Sequence, residues 1–248
     1  MTKPSLAAIA LLLLCFGPCM TFAADSNHLT VSKISMQSGG HRIRIDKYEA
    51  SQTAKRPAIL VLHGAGGTLL DGPEMRRVAR QLAESGHTVY LLHYFNRTGT
   101  IFGFDAGMQK NFPAWLETVR DAIKFVQQDN ANGLPIGIYG YSLGGFLALA
   151  AASDNPAVGA EVEHAGGIWN GKTERIKQMP PVLIVHGEED ARVPFQKYAR
   201  PLLAVLHQRG GIVKTRFFPG EGHVFSAAAM TEVRAAAVEF FRQHPAKK

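Results

Sequence analysis

Five short runs in this chain are mostly apolar throughout: Pro57–His63 (PAILVLH), His87–Tyr94 (HTVYLLHY), Leu134–Tyr139 (LPIGIY), Ala157–Glu163 (AVGAEVE) and Pro181–His186 (PVLIVH). A strand with one face in water alternates apolar and polar residues. Runs apolar on both faces therefore belong to a parallel sheet covered by helices on each side. The intervening segments read as helices. Trp115, Val119, Ala122 and Val126 form one apolar stripe, with Glu117/Arg120 and Asp121/Lys124 as i,i+3 charge pairs. Phe146–Ala152, Pro73–Ser85, Pro194–Arg209 and Phe225–His244 behave similarly, and Val213–Phe218 makes a weaker last strand. Ahead of this alternation, Leu29–Ser35 and His41–Glu49 carry β-branched residues and are joined by Gly39-Gly40, the pattern of an antiparallel hairpin. The expectation is one α/β domain over residues 25–248, with a mostly parallel, doubly wound sheet led by an antiparallel hairpin.

Residues 1–24 read as an export signal. Lys3 supplies the positive start, Leu6–Phe16 the apolar core, and Thr21-Phe22-Ala23-Ala24 a small-residue cleavage site, with cleavage after Ala23 or Ala24. An apolar core of about 11 residues is too short to cross the roughly 30 Å hydrocarbon layer. Periplasmic or secreted localisation follows, with no stable membrane insertion after cleavage. Cys15 and Cys19 both lie in this segment, so the mature chain is expected to hold no disulfide, thiolate nucleophile or cysteine-bound zinc. The formal net charge is +7, but the basic residues are scattered and interleaved with acidic ones. A nucleic-acid binder would cluster them on one element with aromatic groups between, so no nucleic-acid partner is expected.

The chemistry concentrates at the ends of the apolar runs. Gly140-Tyr141-Ser142-Leu143-Gly144 is a G-x-S-x-G between a strand and a helix, the setting of a nucleophile elbow, whose tight turn lifts the serine hydroxyl clear of the sheet. A serine hydroxyl needs a base to take its proton, and the base needs an acid to fix its tautomer. Strand Pro181–His186 runs into Gly187-Glu188-Glu189-Asp190, three carboxylates at the carboxyl end of a buried strand, and Pro194 is expected to open the next helix. Of the histidines further on, His207 sits in a helical segment and His244 near the end. His223 lies in the glycine-rich turn Pro219-Gly220-Glu221-Gly222-His223, after the last strand. Serine, acid, histidine is the order of an esterase-type triad. The developing oxyanion needs donors: the N–H of Leu143 at a helix start, and that of Ala65 in the loop His63-Gly64-Ala65-Gly66-Gly67. That loop lacks the Gly-Lys-Ser/Thr ending of a phosphate-binding loop, and Leu69 stands where a dinucleotide fingerprint needs glycine or alanine.

HGAGG at 63–67, GYSLGG at 140–145, HGEEDARVP at 186–194 and GEGHVF at 220–225 together resemble the α/β-hydrolase superfamily, and within it the dienelactone hydrolase family, over roughly residues 40–244. Dienelactone hydrolase itself is known for a cysteine nucleophile; this chain carries Ser142 at that position. The resemblance implies an α/β-hydrolase fold and catalytic Ser142, Asp190 and His223, with the acid at the fifth residue of H-G-x-x-D. Glu188 and Glu189 then read as solvated turn residues.

The reading is an exported serine hydrolase cleaving a small-molecule carboxylic ester through an acyl-enzyme. Ser142 attacks, His223 carries the proton, Asp190 orients it, and Ala65 with Leu143 holds the oxyanion. No cofactor and no metal are implied, since the histidines lack an H-E-x-x-H spacing. The Gly166–Pro180 connection, about 15 residues, is too short for a large lid, so short-chain esters are expected. The stretch 95–112 reads as a long loop at the active edge. Phe95, Phe102 and Phe104 are expected to line the pocket, and Arg97 to receive a substrate carboxylate. A peptidase or amidase using the same triad is one alternative. A non-catalytic binding protein of the cell envelope with this fold is another.

Overall fold

The computed structural model describes residues 28–51, 56–131 and 133–245. The expected signal segment and both cysteines lie outside the described residues. Strands β1 (Leu29–Ser38) and β2 (His41–Ala50) form the antiparallel hairpin, turning at Gly39-Gly40. Then come β3 (Ile59–Leu62), α1 (Gly67–Leu70), α2 (Gly72–Glu84), β4 (Val89–Leu92), α3 (Asp105–Asn130), β5 (Ile136–Tyr141) and α4 (Leu143–Ala152). They are followed by β6 (Val158–His164), β7 (Val182–Gly187), α5 (Ala199–Gln208), β8 (Val213–Phe218) and α6 (Ala227–Gln243). One eight-stranded sheet has the order β1-β2-β4-β3-β5-β6-β7-β8. The β1–β2 and β2–β4 pairs are antiparallel, and every pair from β4 through β8 is parallel.

The double burial read from the apolar runs is carried by alternate residues. On β3, Leu60 and Leu62 face α3 and α4, while Ile59 and Val61 face α2 and α6. On β7, Leu183 and Val185 join the α2/α6 layer, and Val182 and Ile184 pack on α5. The strand β8 is half-buried, as its mixed sequence VKTRFF requires of a sheet edge.

Two sequence expectations change. The supposed loop 95–112 is short: Tyr94–Arg97 is a 3-10 turn and α3 starts at Asp105. Pro113 lies inside α3, and no residue of that helix before Phe112 is buried, so this part offered no apolar stripe to read. Pro194 opens a turn rather than a helix. Its carbonyl accepts from the N–H groups of Lys197 and Tyr198, and α5 begins at Ala199.

The strand order reverses between β3 and β5. Ligands of open α/β sheets bind in the crevice beyond the carboxyl ends of the strands at such a switch point.

Candidate active site

Ser142 follows β5 at the switch point with φ 53° and ψ −118°, a conformation L-residues rarely adopt. The turn is held where it is strained: the Ser142 N–H donates to the His164 carbonyl on β6 at 2.7 Å, and the Ser142 carbonyl accepts from Gly145 at 2.8 Å. Strand and helix then nearly touch. A Cβ at Gly140 would meet the Gly144 carbonyl oxygen at 2.3 Å, and one at Gly144 would meet the Leu62 carbonyl oxygen at 2.5 Å, so glycine is obligatory at both.

The Ser142 Oγ lies 2.9 Å from His223 Nε2, and His223 Nδ1 lies 2.7 Å from Asp190 Oδ2. With Nδ1–H donating to the carboxylate, Nε2 is left free to accept the serine proton. Asp190 is fixed by its other oxygen, which accepts from the N–H of Arg192 at 2.8 Å and of Val193 at 2.7 Å. Burial alone would raise the Asp190 carboxyl. The bond from His223, the Val193 N–H and the nearby imidazoles outweigh it and hold the group below the usual range, as a carboxylate. Glu188 and Glu189 are exposed, and Asp190 alone of the three is buried. The loops that carry acid and base are tied together. Glu189 N–H donates to the Glu221 carbonyl at 3.0 Å, and a Cβ at Gly187 would meet that same oxygen at 2.3 Å. Tyr141 stacks on His223 with ring centroids 5.6 Å apart, and its hydroxyl donates to the His223 carbonyl at 3.1 Å.

The N–H groups of Ala65 and Leu143 have no acceptor among the described residues. Both residues line a cavity of about 360 Å³ together with Ser142. The loop carrying Ala65 is braced on three sides. His63 Nδ1–H donates to the Gly64 carbonyl at 2.8 Å, Tyr94 donates its hydroxyl to the His63 carbonyl at 2.8 Å, and Gly103 N–H donates to the Ala65 carbonyl at 2.7 Å. Burial pushes the His63 imidazole down to about 3, so it stays neutral. The sequence reading missed a fourth brace, Asp71. Its Oδ2 accepts the Gly66 N–H at 3.0 Å. Burial raises this carboxyl against the lowering effect of the Gly66 N–H, of His223 and of the nearby Gly64 backbone.

The four residues expected to bind substrate do not line this cavity. Phe95 is buried beneath it, packed on Trp115 and His63 with centroids 4.6 and 4.8 Å away. Arg97 points to the hairpin, donating to the Gly39 carbonyl and pairing with Glu117 at 3.1 Å. A guanidinium so occupied is not waiting for a substrate carboxylate. Phe102 and Phe104 are exposed outside the cavity. The walls are Met108, Phe146, Trp169, Val193 and Tyr198, with Asp105 and Arg192 paired at the rim. Trp169 comes from the Gly166–Pro180 connection, stacked on Phe112 at 4.1 Å and 6°. Two hydrogen bonds between Gln109 and Asn170 hold that connection to α3.

An activated hydroxyl beside two free N–H groups in one cleft is competent for acyl transfer. The sequence model described as the dienelactone hydrolase family matches residues 45–244. No curated protein sequence matches the chain significantly. Among solved structures, a dienelactone hydrolase from Anabaena variabilis aligns with TM-score 0.69 at 20% identity, covering 88% of this chain and 99% of that one. A dienelactone hydrolase-like promiscuous phosphotriesterase from metagenomic libraries gives TM-score 0.74 at 17% identity, with 88% and 99% covered. An esterase gives 0.69 at 17% identity, with 87% and 81% covered. At these identities the likeness is one of fold.

Proposed function

Because this chain belongs to the dienelactone hydrolase family, we propose that it is a serine hydrolase that cleaves carboxylic esters through an acyl-enzyme. The observation that carries this reading is the hydrogen-bonded series from Ser142 Oγ through His223 to Asp190, at 2.9 and 2.7 Å. Ser142 Oγ bonds to the ester carbonyl carbon as its proton passes to His223 Nε2. The oxyanion takes hydrogen bonds from Ala65 and Leu143. Collapse breaks the bond to the alcohol oxygen, which leaves with the proton from His223. A water then repeats the sequence and releases the carboxylic acid. Asp190 keeps the imidazole in the required tautomer and stabilises the imidazolium.

Fluorophosphonate labelling tests this directly. Ser142→Ala should abolish labelling while keeping the fold, and should lower ester turnover by about 10⁴-fold or more. Wild-type protein that neither labels nor hydrolyses a panel of esters would point instead to a binding protein. A preference for amides over esters would point to a peptidase. We further propose that the enzyme is exported, on the pattern of residues 1–24; N-terminal sequencing of protein recovered from periplasm or medium should begin at Ala24 or Asp25.

A further inference from the structure

A second cavity, of about 660 Å³, runs between α3, the end of α4 and the Gly166–Pro180 connection. It shares Phe146 and Trp169 with the cavity beside Ser142, but neither Ser142 nor His223 lines it. Those two rings and Phe112 close one end. Trp169 stacks on Phe112 at 4.1 Å and meets Phe146 edge-on at 5.4 Å. Along α3, Phe112, Leu116 and Arg120 follow at intervals of four, which puts them on one face of the helix, the face that lines the cavity. Eight residues of helix carry Arg120 about 12 Å away from the aromatic end. Arg175 belongs to that far end too, because its carbonyl accepts the Ser153 hydroxyl at 2.8 Å, just past the last turn of α4.

Charge in this cavity is one-sided. Arg120, Lys172, Arg175 and Lys177 line it against a single carboxylate, Asp154, which pairs with Lys177 at 3.5 Å. The side chains of Arg120, Lys172 and Arg175 are exposed and have no hydrogen-bond or ion-pair partner among the described residues. Elsewhere Arg97, Arg192, Arg234 and Arg242 each hold a carboxylate. Free guanidinium groups are built to take a carboxylate in two parallel hydrogen bonds. The layout selects among anions. An inorganic anion would leave the aromatic end in water, and an uncharged apolar molecule would leave the cations without a partner. A polyanion needs positive charge along its whole length, which Phe112, Phe146 and Trp169 do not offer. A molecule charged at one end and apolar at the other satisfies both ends, and the volume falls within the roughly 300–1,000 Å³ of small-molecule sites.

We infer that this second cavity is a binding site for an organic acid with an apolar body. The carboxylate sits at Arg120 and Arg175, with Lys172 beside them, and the chain or ring lies against Leu116, Phe112 and Trp169. The site is separate from the reaction at Ser142 and stands or falls without it. Octanoate, octanol and inorganic phosphate, each titrated into the wild-type protein by calorimetry, test the assignment. Octanoate should bind at one site with a Kd at or below about 1 mM, and about tenfold or more tightly than either octanol or phosphate. Arg120→Ala combined with Arg175→Ala should weaken octanoate by about tenfold or more and octanol by less than about twofold. Since neither side chain has a partner to lose, the melting temperature of the double variant should match the wild type. Absence of octanoate binding would overturn the assignment, and so would octanol or phosphate binding as tightly as octanoate. Octanoate bound undiminished by the double variant, and slowing fluorophosphonate labelling, would place the acid beside Ser142 instead.

Discussion

At the scale of single residues, one short sequence step separates a buried carboxylate bonded to His223 from two exposed ones. Glu188 and Glu189 end in water, whereas Asp190 is buried with both oxygens engaged. Asp190→Asn keeps the shape but presents an amide to His223 Nδ1, which favours the wrong tautomer. In serine proteases with this triad the change lowers turnover about 10⁴-fold, and a loss of that order is expected here in steady-state assays. Gln at 188 or 189 should cost about tenfold or less; a dead Glu189→Gln enzyme beside an active Asp190→Asn enzyme would reverse the roles. That Ser142, Asp190 and His223 meet was legible because strand ends fix the order and the edge on which they lie. Arg97 was not legible. Its partners, the Gly39 carbonyl and Glu117, come from a hairpin turn and a helix that only the folded chain brings to it. Phe95 misled for a related reason: an aromatic residue after an active-edge strand can as easily support a site from below as line it.

At the scale of elements, the loop between β3 and α2 carries more of the site than its glycines suggested. Asp71 ends α1 and starts α2, and its carboxylate accepts the Gly66 N–H beside Ala65. Holding Gly66 fixes the turn from which Ala65 lines the cavity. Asp71→Ala should therefore lower kcat by about tenfold or more with KM little changed, since a misaimed donor costs transition-state stabilisation first. Asp71→Asn, which retains one carbonyl acceptor, should recover part of the loss. Equal losses in kcat and thermal stability for both variants would mean a structural role only. No motif announces this residue, because its role follows from a chain reversal that brings position 71 back over 64–66. The start of α3 was missed for the opposite reason: its first two turns flank the cavity instead of packing on the sheet, so the apolar period that reveals a helix begins only at Phe112.

For the molecule as a whole, the site is built over a carboxyl group buried in the sheet. Glu163 on β6 is fully buried, with Oε1 accepting the Gly166 N–H and Oε2 unpartnered among the described residues. Burial pushes its carboxyl from an ordinary 4.5 to about 8, against the Gly166 N–H and with the help of the Asp190 charge. The folded chain thus holds a proton that the unfolded chain releases above 4.5. This contribution to stability is fully present below 4.5 and is lost as pH rises through 8, at about 1.4 kcal/mol per pH unit. Glu163→Gln removes the titration, so its melting temperature should gain on wild type from pH 5 to about 8.5 and then run parallel. Curves parallel across the whole range would show that Glu163 keeps its ordinary acidity. The doubly wound architecture itself was legible, because two-faced burial leaves its mark on the five inner strands β3 to β7. The tie between the Glu189 N–H and the Glu221 carbonyl has a further consequence, for biosynthesis. The proposed base, His223, sits in a loop that leaves the ribosome after all eight strands, and that loop is seated by contact with the loop of Asp190. On the proposed mechanism, a nascent or truncated chain ending before residue 223 would carry Ser142 without its base, so it would stay unreactive until that loop is made.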